Sequence, residues 1–355
     1  MIGKYKDLHI GAAAALGMVL AFSAAAEGLT PTSFAEACRT RAEKAKAANE
    51  AVVRGEDGWL FLASELRHLG VGEFWGAAAQ TASTATREDA RDPLPAIVDT
   101  AAQLKRAGVA LLVVPVPPRA AVYADKLLGT GKTPTARLDT ALQAFNAKLR
   151  ESGVEVLDLT DVFLAARADE DKAGPVSCRA DSHWSPRGIE IASKEIAAWL
   201  RKNGVDKPAA LKTKVEREDA EIVGDLWRIL EDAAWPKERL ALRRVTTEDG
   251  FPLEESAEAP VLLLADSHGL VFHAGEDMLA EGGGLFDQLS AALGHPLALM
   301  ARRGSAATTV RIDLARRVRA EPAFLKGKRA VVWCFAAREL TEGSGWRTVP
   351  IVPEP

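Results

Sequence analysis

Two short strings in this chain hold the side chains of a proton relay. In Ala180-Asp181-Ser182-His183-Trp184-Ser185-Pro186 an acid stands one residue from a histidine, and about 84 residues later Leu262-Leu263-Leu264-Ala265-Asp266-Ser267-His268 places a serine just past an apolar run. An Asp-x-His pair on a loop can hold an imidazole in one tautomer while that imidazole takes the proton of a serine hydroxyl, which makes an otherwise weak nucleophile competent at neutral pH. Asp181 would be the orienting acid, His183 the base and Ser267 the nucleophile. Singly, each string is also what a backbone cap, a turn or a solvated loop supplies. His268, next to the serine, is an alternative base, although a neighbour in sequence usually points elsewhere.

The elements around both strings agree with the catalytic reading. Val261 to Ala265 reads as a buried strand with Gly269 and Gly275 beyond it, so Ser267 falls on the turn leaving the strand's carboxyl end. Ser185-Pro186 opens a helix directly after the Asp-x-His loop and runs to Asn203. Further helices are expected over Thr32–Val53, from Asp92-Pro93 to Gly108, over Thr135–Ser152, Gly275–Leu293 and Ala306–Arg319. Strands are expected at Trp59–Leu62, Val109–Val116, Val154–Leu159, Leu297–Ala301 and Arg329–Phe335. Short buried strands separated by helices imply a mostly parallel sheet with helices on both faces, an α/β/α sandwich whose ligands gather at the strands' carboxyl ends. Residues 205–259 are more charged and less periodic and read as an insertion or lid beside the site.

Bulk properties narrow the class. Lys4 and Lys6 precede an apolar run, Ile10 to Ala26, that ends in Ser23-Ala24-Ala25-Ala26, so residues 1–26 read as a signal peptide or an N-terminal membrane anchor and residues 27–355 as one domain outside the cytoplasm. The net charge of −4, with no basic block, argues against nucleic acid as a partner. Three cysteines cannot build a disulfide scaffold and show no zinc spacing; no metal and no cofactor are expected. Cys334 lies in an apolar strand, which leaves Cys38 with Cys178 as the pair for one bridge in an oxidising compartment.

From Glu56 to Arg347 the chain resembles the alginate O-acetyltransferase AlgJ/AlgX family, a circularly permuted, exported branch of the SGNH hydrolase-like superfamily. The resemblance rests on Asp57-Gly58-Trp59-Leu60-Phe61, Val114-Pro115-Val116-Pro117 with Tyr123 and Lys126-Leu127, the Asp181 to Pro186 string, Gly224-Asp225-Leu226 and Ala265-Asp266-Ser267. It implies an SGNH hydrolase-like sandwich, a Ser267 that accepts an acetyl group, a polysaccharide acceptor, and an acetyl donor relayed by a membrane-bound O-acyltransferase in the periplasm. Ala265 stands where superfamily members often carry Gly. The first expected oxyanion donor is the Ser267 N–H and the second is Gly304, which serves equally as a plain turn residue. Trp184 and Tyr123 are candidate sugar contacts, with Trp59 beside them; the alternative is that such aromatics are core. The chain ends soon after its last strand, so no appended carbohydrate-binding module is expected.

Three functions fit these residues: O-acetyl transfer to an exopolysaccharide, an SGNH-type esterase in which water replaces the sugar, and a non-catalytic polysaccharide-binding protein on the same fold.

Overall fold

A computed structural model describes residues 29–134, 136–205, 211–304 and 308–352. The leader expected at residues 1–26 lies outside the described residues. Helix α1 (Pro31–Ala47) begins where Thr30 and Ser33 cap each other reciprocally and Pro31 occupies the first turn. It is shorter than expected because Val52–Arg54 pairs as strand β1 with β2 (Leu60–Leu62) across the Gly55–Trp59 turn, and α2 (Ala63–Gly70) then folds back onto α1.

Helix α3 (Pro93–Arg106), capped by the Asp92 carboxylate on the Leu94 N–H, leads into β3 (Ala110–Val116). Then come α4 (Thr140–Glu151), a β4 cut down to Glu155–Val156, and α5 (Pro186–Lys202), whose cap is Ser185 accepting from the Gly188 N–H. The segment expected as an insertion is a long antiparallel hairpin, β5 (Thr213–Ile222) and β6 (Glu238–Thr247), joined through the short helix α6 (Asp225–Leu230). Strand β7 (Val261–Ala265), α7 (Leu285–Leu293), β8 (Ala298–Ala301), α8 (Thr309–Ala320) and β9 (Ala330–Ala336) complete the chain. The helix expected from Gly275 is shorter because left-handed backbone at Gly275, Glu276, Leu279 and Gly282 breaks the helical path up to residue 284.

The central sheet, in the order β4-β3-β9-β7-β8 among the described residues, is parallel throughout. Alternate side chains of its three middle strands build two separate cores, as a period of two requires. Leu112, Val114, Leu263, Ala265, Val332 and Cys334 face one way, onto α1, α2, α5 and α7. Leu111, Val113, Leu262, Leu264, Val331 and Trp333 face the other, onto α3, α4 and α8. The expected three-layer α/β/α sandwich is thus the observed one.

The expected disulfide is not formed. Cys38, Cys178 and Cys334 are all free and buried. The Cys178 S–H instead points at the Trp184 carbonyl oxygen, 3.4 Å away, and burial pushes the Cys38 thiol up to about 12, so these side chains behave as small apolar core groups.

Candidate active site

Ser267 leaves the carboxyl end of β7 on a tight turn that Asp266 holds. One Asp266 oxygen accepts the His268 N–H at 2.8 Å and the other accepts the Ala336 N–H, at the end of β9, at 2.8 Å. Asp266 therefore ties the turn to the sheet. A Cβ on Gly269 would lie 2.5 Å from the Cβ of Ala265, so the room that a glycine at 265 would leave is supplied here by the glycine at 269.

The loop before α5 brings His183 to that turn. His183 Nε2 lies 2.7 Å from Ser267 Oγ, and Nδ1 lies 2.7 Å from Asp181 Oδ1, which also accepts the His183 backbone N–H at 3.0 Å. With the carboxylate fixing the proton on Nδ1, Nε2 is left as the acceptor of the serine proton. Asp181 is 2% and His183 6% exposed, while Ser267 is partly open to solvent. Burial alone would pull His183 down; the Asp181 carboxylate beside it outweighs that and holds the imidazole above its ordinary value, with Asp225 assisting and Arg338 opposing. Burial would raise the Asp181 carboxyl, yet the imidazole and the N–H groups on it hold it well below the usual carboxylate range.

Much of the support for this loop was invisible as function in the sequence. Arg119, 2% exposed, donates to the Asp181 carbonyl at 2.6 Å and to the Cys178 carbonyl at 2.9 Å. Glu238 on β6 accepts the N–H groups of Arg179 (2.7 Å) and Ala180 (3.2 Å), and burial pushes its carboxyl up to about 7. Asp225 donates its N–H to Asp181 Oδ2 at 2.8 Å. Only Asp225 had any sequence signal, as part of Gly224-Asp225-Leu226; Arg119 and Glu238 sit in no motif.

His268 does not reach Ser267 as a base. Its Nδ1 lies 3.1 Å from Asp266, its ring centroid is 4.7 Å from that of His183, and burial, only partly offset by Asp266, pulls it below its ordinary value. Trp184 and Tyr123 are corrected as sugar contacts. Trp184 is 1% exposed and spends its indole N–H on the His268 carbonyl at 3.1 Å. Tyr123, with no exposure, stacks on buried Trp59 at 4.0 Å and accepts the Val176 N–H at 2.9 Å. Neither has a face to offer a ligand. Gly304 is exposed with φ of +80°, two residues past Arg302, whose N–H donates to the Ala265 carbonyl beside the nucleophile turn.

Asp181, His183 and Asp225 each bring one potential metal-ligand atom within 4.8 Å of the others. Those groups are already engaged in hydrogen bonds, Asp181 with His183 and the Asp225 N–H, and Asp225 with Ser182, so the three form one hydrogen-bonded network.

A parallel three-layer sandwich with a serine, a histidine and an aspartate converging at the carboxyl ends of its strands defines the hydrolase-like class of α/β folds. Residues 52–337 match the family model described as SGNH hydrolase-like domain, acetyltransferase AlgX, and the chain belongs to that family. It is 28% identical over 159 residues to a protein of Pseudomonas aeruginosa named probable alginate O-acetylase AlgJ, a match that covers 44% of this chain and 35% of that protein. The matched segment thus spans about a third of the curated relative. Among solved structures, the fold is shared with the O-acetyltransferase domain of Pseudomonas putida AlgJ, at a TM-score of 0.60 and 23% identity, covering 82% of this chain and 92% of that one. It is shared too with Pseudomonas aeruginosa AlgX, at a TM-score of 0.53 and 18% identity, covering 84% of this chain and 69% of that one.

Proposed function

We propose that this protein is an exported O-acetyltransferase that acetylates an alginate-like exopolysaccharide through an acetyl-serine intermediate. The observation that carries the reading is the His183 imidazole, hydrogen-bonded at 2.7 Å to Asp181 on one side and to Ser267 on the other. In the first step Ser267 Oγ attacks the acetyl carbonyl carbon as its proton passes to His183 Nε2. The bond to the donor oxygen then breaks, and that oxygen leaves with the proton from His183. In the second step a sugar hydroxyl gives its proton to His183 and attacks the acetyl-serine ester; Ser267 Oγ departs and recovers the proton. The negative charge on the carbonyl oxygen would be met by the Ser267 N–H, which has no partner among the described residues, and by the Gly304 N–H on the loop that Arg302 ties beside β7.

The donor would be relayed by a membrane-bound O-acyltransferase, and the reaction would run in the periplasm. Among the described residues no helix is long and apolar enough to cross a membrane.

Incubation with an activated acetyl ester should release the leaving group and leave acetyl on Ser267, visible by mass spectrometry, and Ser267→Ala should abolish both. His183→Ala should slow acylation most, to about the 10³-fold residual over water that triad-deleted enzymes retain. Added alginate-like oligomers should then become acetylated and accelerate turnover. Acetate as the sole product at a rate indifferent to glycan would replace the transferase by an esterase. Glycan binding with Ser267 unmodified would replace both by a binding protein.

A further inference from the structure

We propose that Asp225 is a positioning residue for the catalytic base: a second carboxylate, delivered by the hairpin segment between β5 and β6, that locks the Asp181–His183 loop and stabilises the imidazolium formed when Ser267 gives up its proton. This rests on the triad reading above and extends it to a group outside the triad.

Three hydrogen bonds join Asp225 to the loop. Its backbone N–H donates to Asp181 Oδ2 at 2.8 Å, so both oxygens of the orienting acid are engaged, one by His183 and one by Asp225. Its carboxylate accepts the Ser182 N–H at 2.6 Å and the Ser182 hydroxyl at 2.5 Å. Ser182 lies between the acid and the base in sequence, so gripping it from both N–H and Oγ fixes the spacing of the pair. The approach is close enough to demand a particular residue next door: a Cβ on Gly224 would lie 2.2 Å from the Ala180 carbonyl oxygen and 2.6 Å from the Asp181 Cβ. The Trp227 N–H on the Ala180 carbonyl, at 3.0 Å, closes the clip.

Charge gives the clip a second consequence. A carboxylate atom of Asp225 and a ring nitrogen of His183 lie within 4.8 Å of each other, and at that separation an anion favours the charged form of the imidazole. The other groups facing His183 are Asp181 on its own loop, His268 after β7, and Arg338 after β9, whose guanidinium lies 3.8 Å from Glu65 on α2. Arg119 and Glu65 line a cavity of about 10 Å³ together with His183, His268 and Arg338. Among these Asp225 is the second anion acting directly on the base, and it counters Arg338.

Asp225→Asn separates the two roles, because an amide keeps a carbonyl oxygen for the Ser182 N–H and an N–H₂ for the Ser182 hydroxyl while removing the charge. Imidazole ¹H–¹⁵N NMR titration of the full chain should place His183 at lower pH in Asp225→Asn than in wild type. The acid limb of kcat/KM for an activated acetyl ester should move the same way, with melting temperature little changed. Asp225→Ala should lose up to about 10²-fold in kcat with little change in KM, the size of loss a small misplacement of a catalytic group causes. An unmoved His183 titration in a folded Asp225→Asn variant overturns the proposal, as does an Asp225→Ala variant that folds and keeps wild-type kcat. The NMR readout does not depend on turnover. A displaced titration in a protein that never acetylates Ser267 would uphold the Asp225–His183 coupling and sink the acyl-transfer reading instead.

Discussion

As the proposed base, His183 would gain a proton at a position only 6% exposed, beside the Asp181 carboxylate. Burial by itself disfavours the imidazolium; the Asp181 carboxylate reverses the balance, and the net displacement is upward. A base works only when neutral, so kcat/KM should fall on the acid side through a limb centred above the ordinary histidine value of about 6.5. A pH–rate profile with an activated acetyl ester measures it, and a limb below 6.5 would contradict the assignment of His183 as the base. Asp181→Asn keeps the shape of the side chain but invites the wrong imidazole tautomer, with a loss of roughly 10⁴-fold in kcat expected by analogy with other triads.

At the scale of elements, the site is assembled by three strand ends and one hairpin. The ends of β7 and β9 are joined by Asp266, β8 is joined to the nucleophile turn by Arg302, and the β5–β6 hairpin reaches across to the Asp181 loop through Gly224, Asp225, Trp227 and Glu238. Gly224 is where hairpin and loop come closest. Gly224→Ala should therefore push backbone against backbone, costing about 1–3 kcal/mol by overpacking and lowering kcat because the displaced partner is the loop itself. Chemical denaturation and single-turnover acylation check the two halves. A fully active, fully stable Gly224→Ala variant would mean that the hairpin does not brace the loop.

For the molecule as a whole, the pins that build the site also set its response to pH. Glu238, buried beneath the Asp181 loop, is raised from its ordinary value of 4.5 to about 7. Between those values the folded chain binds this proton more tightly than the unfolded chain does, so the contribution to stability is fully present below 4.5 and is lost as pH rises through 7. Glu238→Gln, which keeps an acceptor for the Arg179 and Ala180 N–H groups, should flatten that part of the curve. Melting temperatures from pH 5 to 8 should converge toward wild type at the acid end and favour the variant at the alkaline end. His68 acts in the opposite sense further down: buried and lowered to about 3, it supports the fold above its ordinary 6.5 and loses that support as pH falls.

Periodicity and capping made the sandwich legible in advance. The continuous apolar runs at Val109–Val116, Val261–Ala265 and Arg329–Phe335 are local signals, and so are the Asp92-Pro93 and Ser185-Pro186 starts, because a cap acts within one turn and a strand buried on both faces is apolar at every position. The grouping of Asp181, His183 and Ser267 was legible only from the two short strings and their flanking elements taken together, since each string alone also suits a cap or a turn. The rest depended on distance. The 205–259 segment has too little apolar periodicity to announce a hairpin, and β5 is largely exposed, so its place follows from pairing with β6. Whether Trp184 and Tyr123 face a sugar or a core depends on which elements cover them, and α5 with its neighbours covers them completely. Cys38 and Cys178 look like partners in a list of three but pack as separate thiols. The amino-acid sequence by itself determined the layers and marked out the three side chains that the fold hydrogen-bonds together, since both are signalled by strings a few residues long. Tertiary structure alone decided which buried groups hold the Asp181–His183 loop in place, because Arg119, Asp225 and Glu238 reach it from elements far away in sequence that become neighbours only in the folded chain.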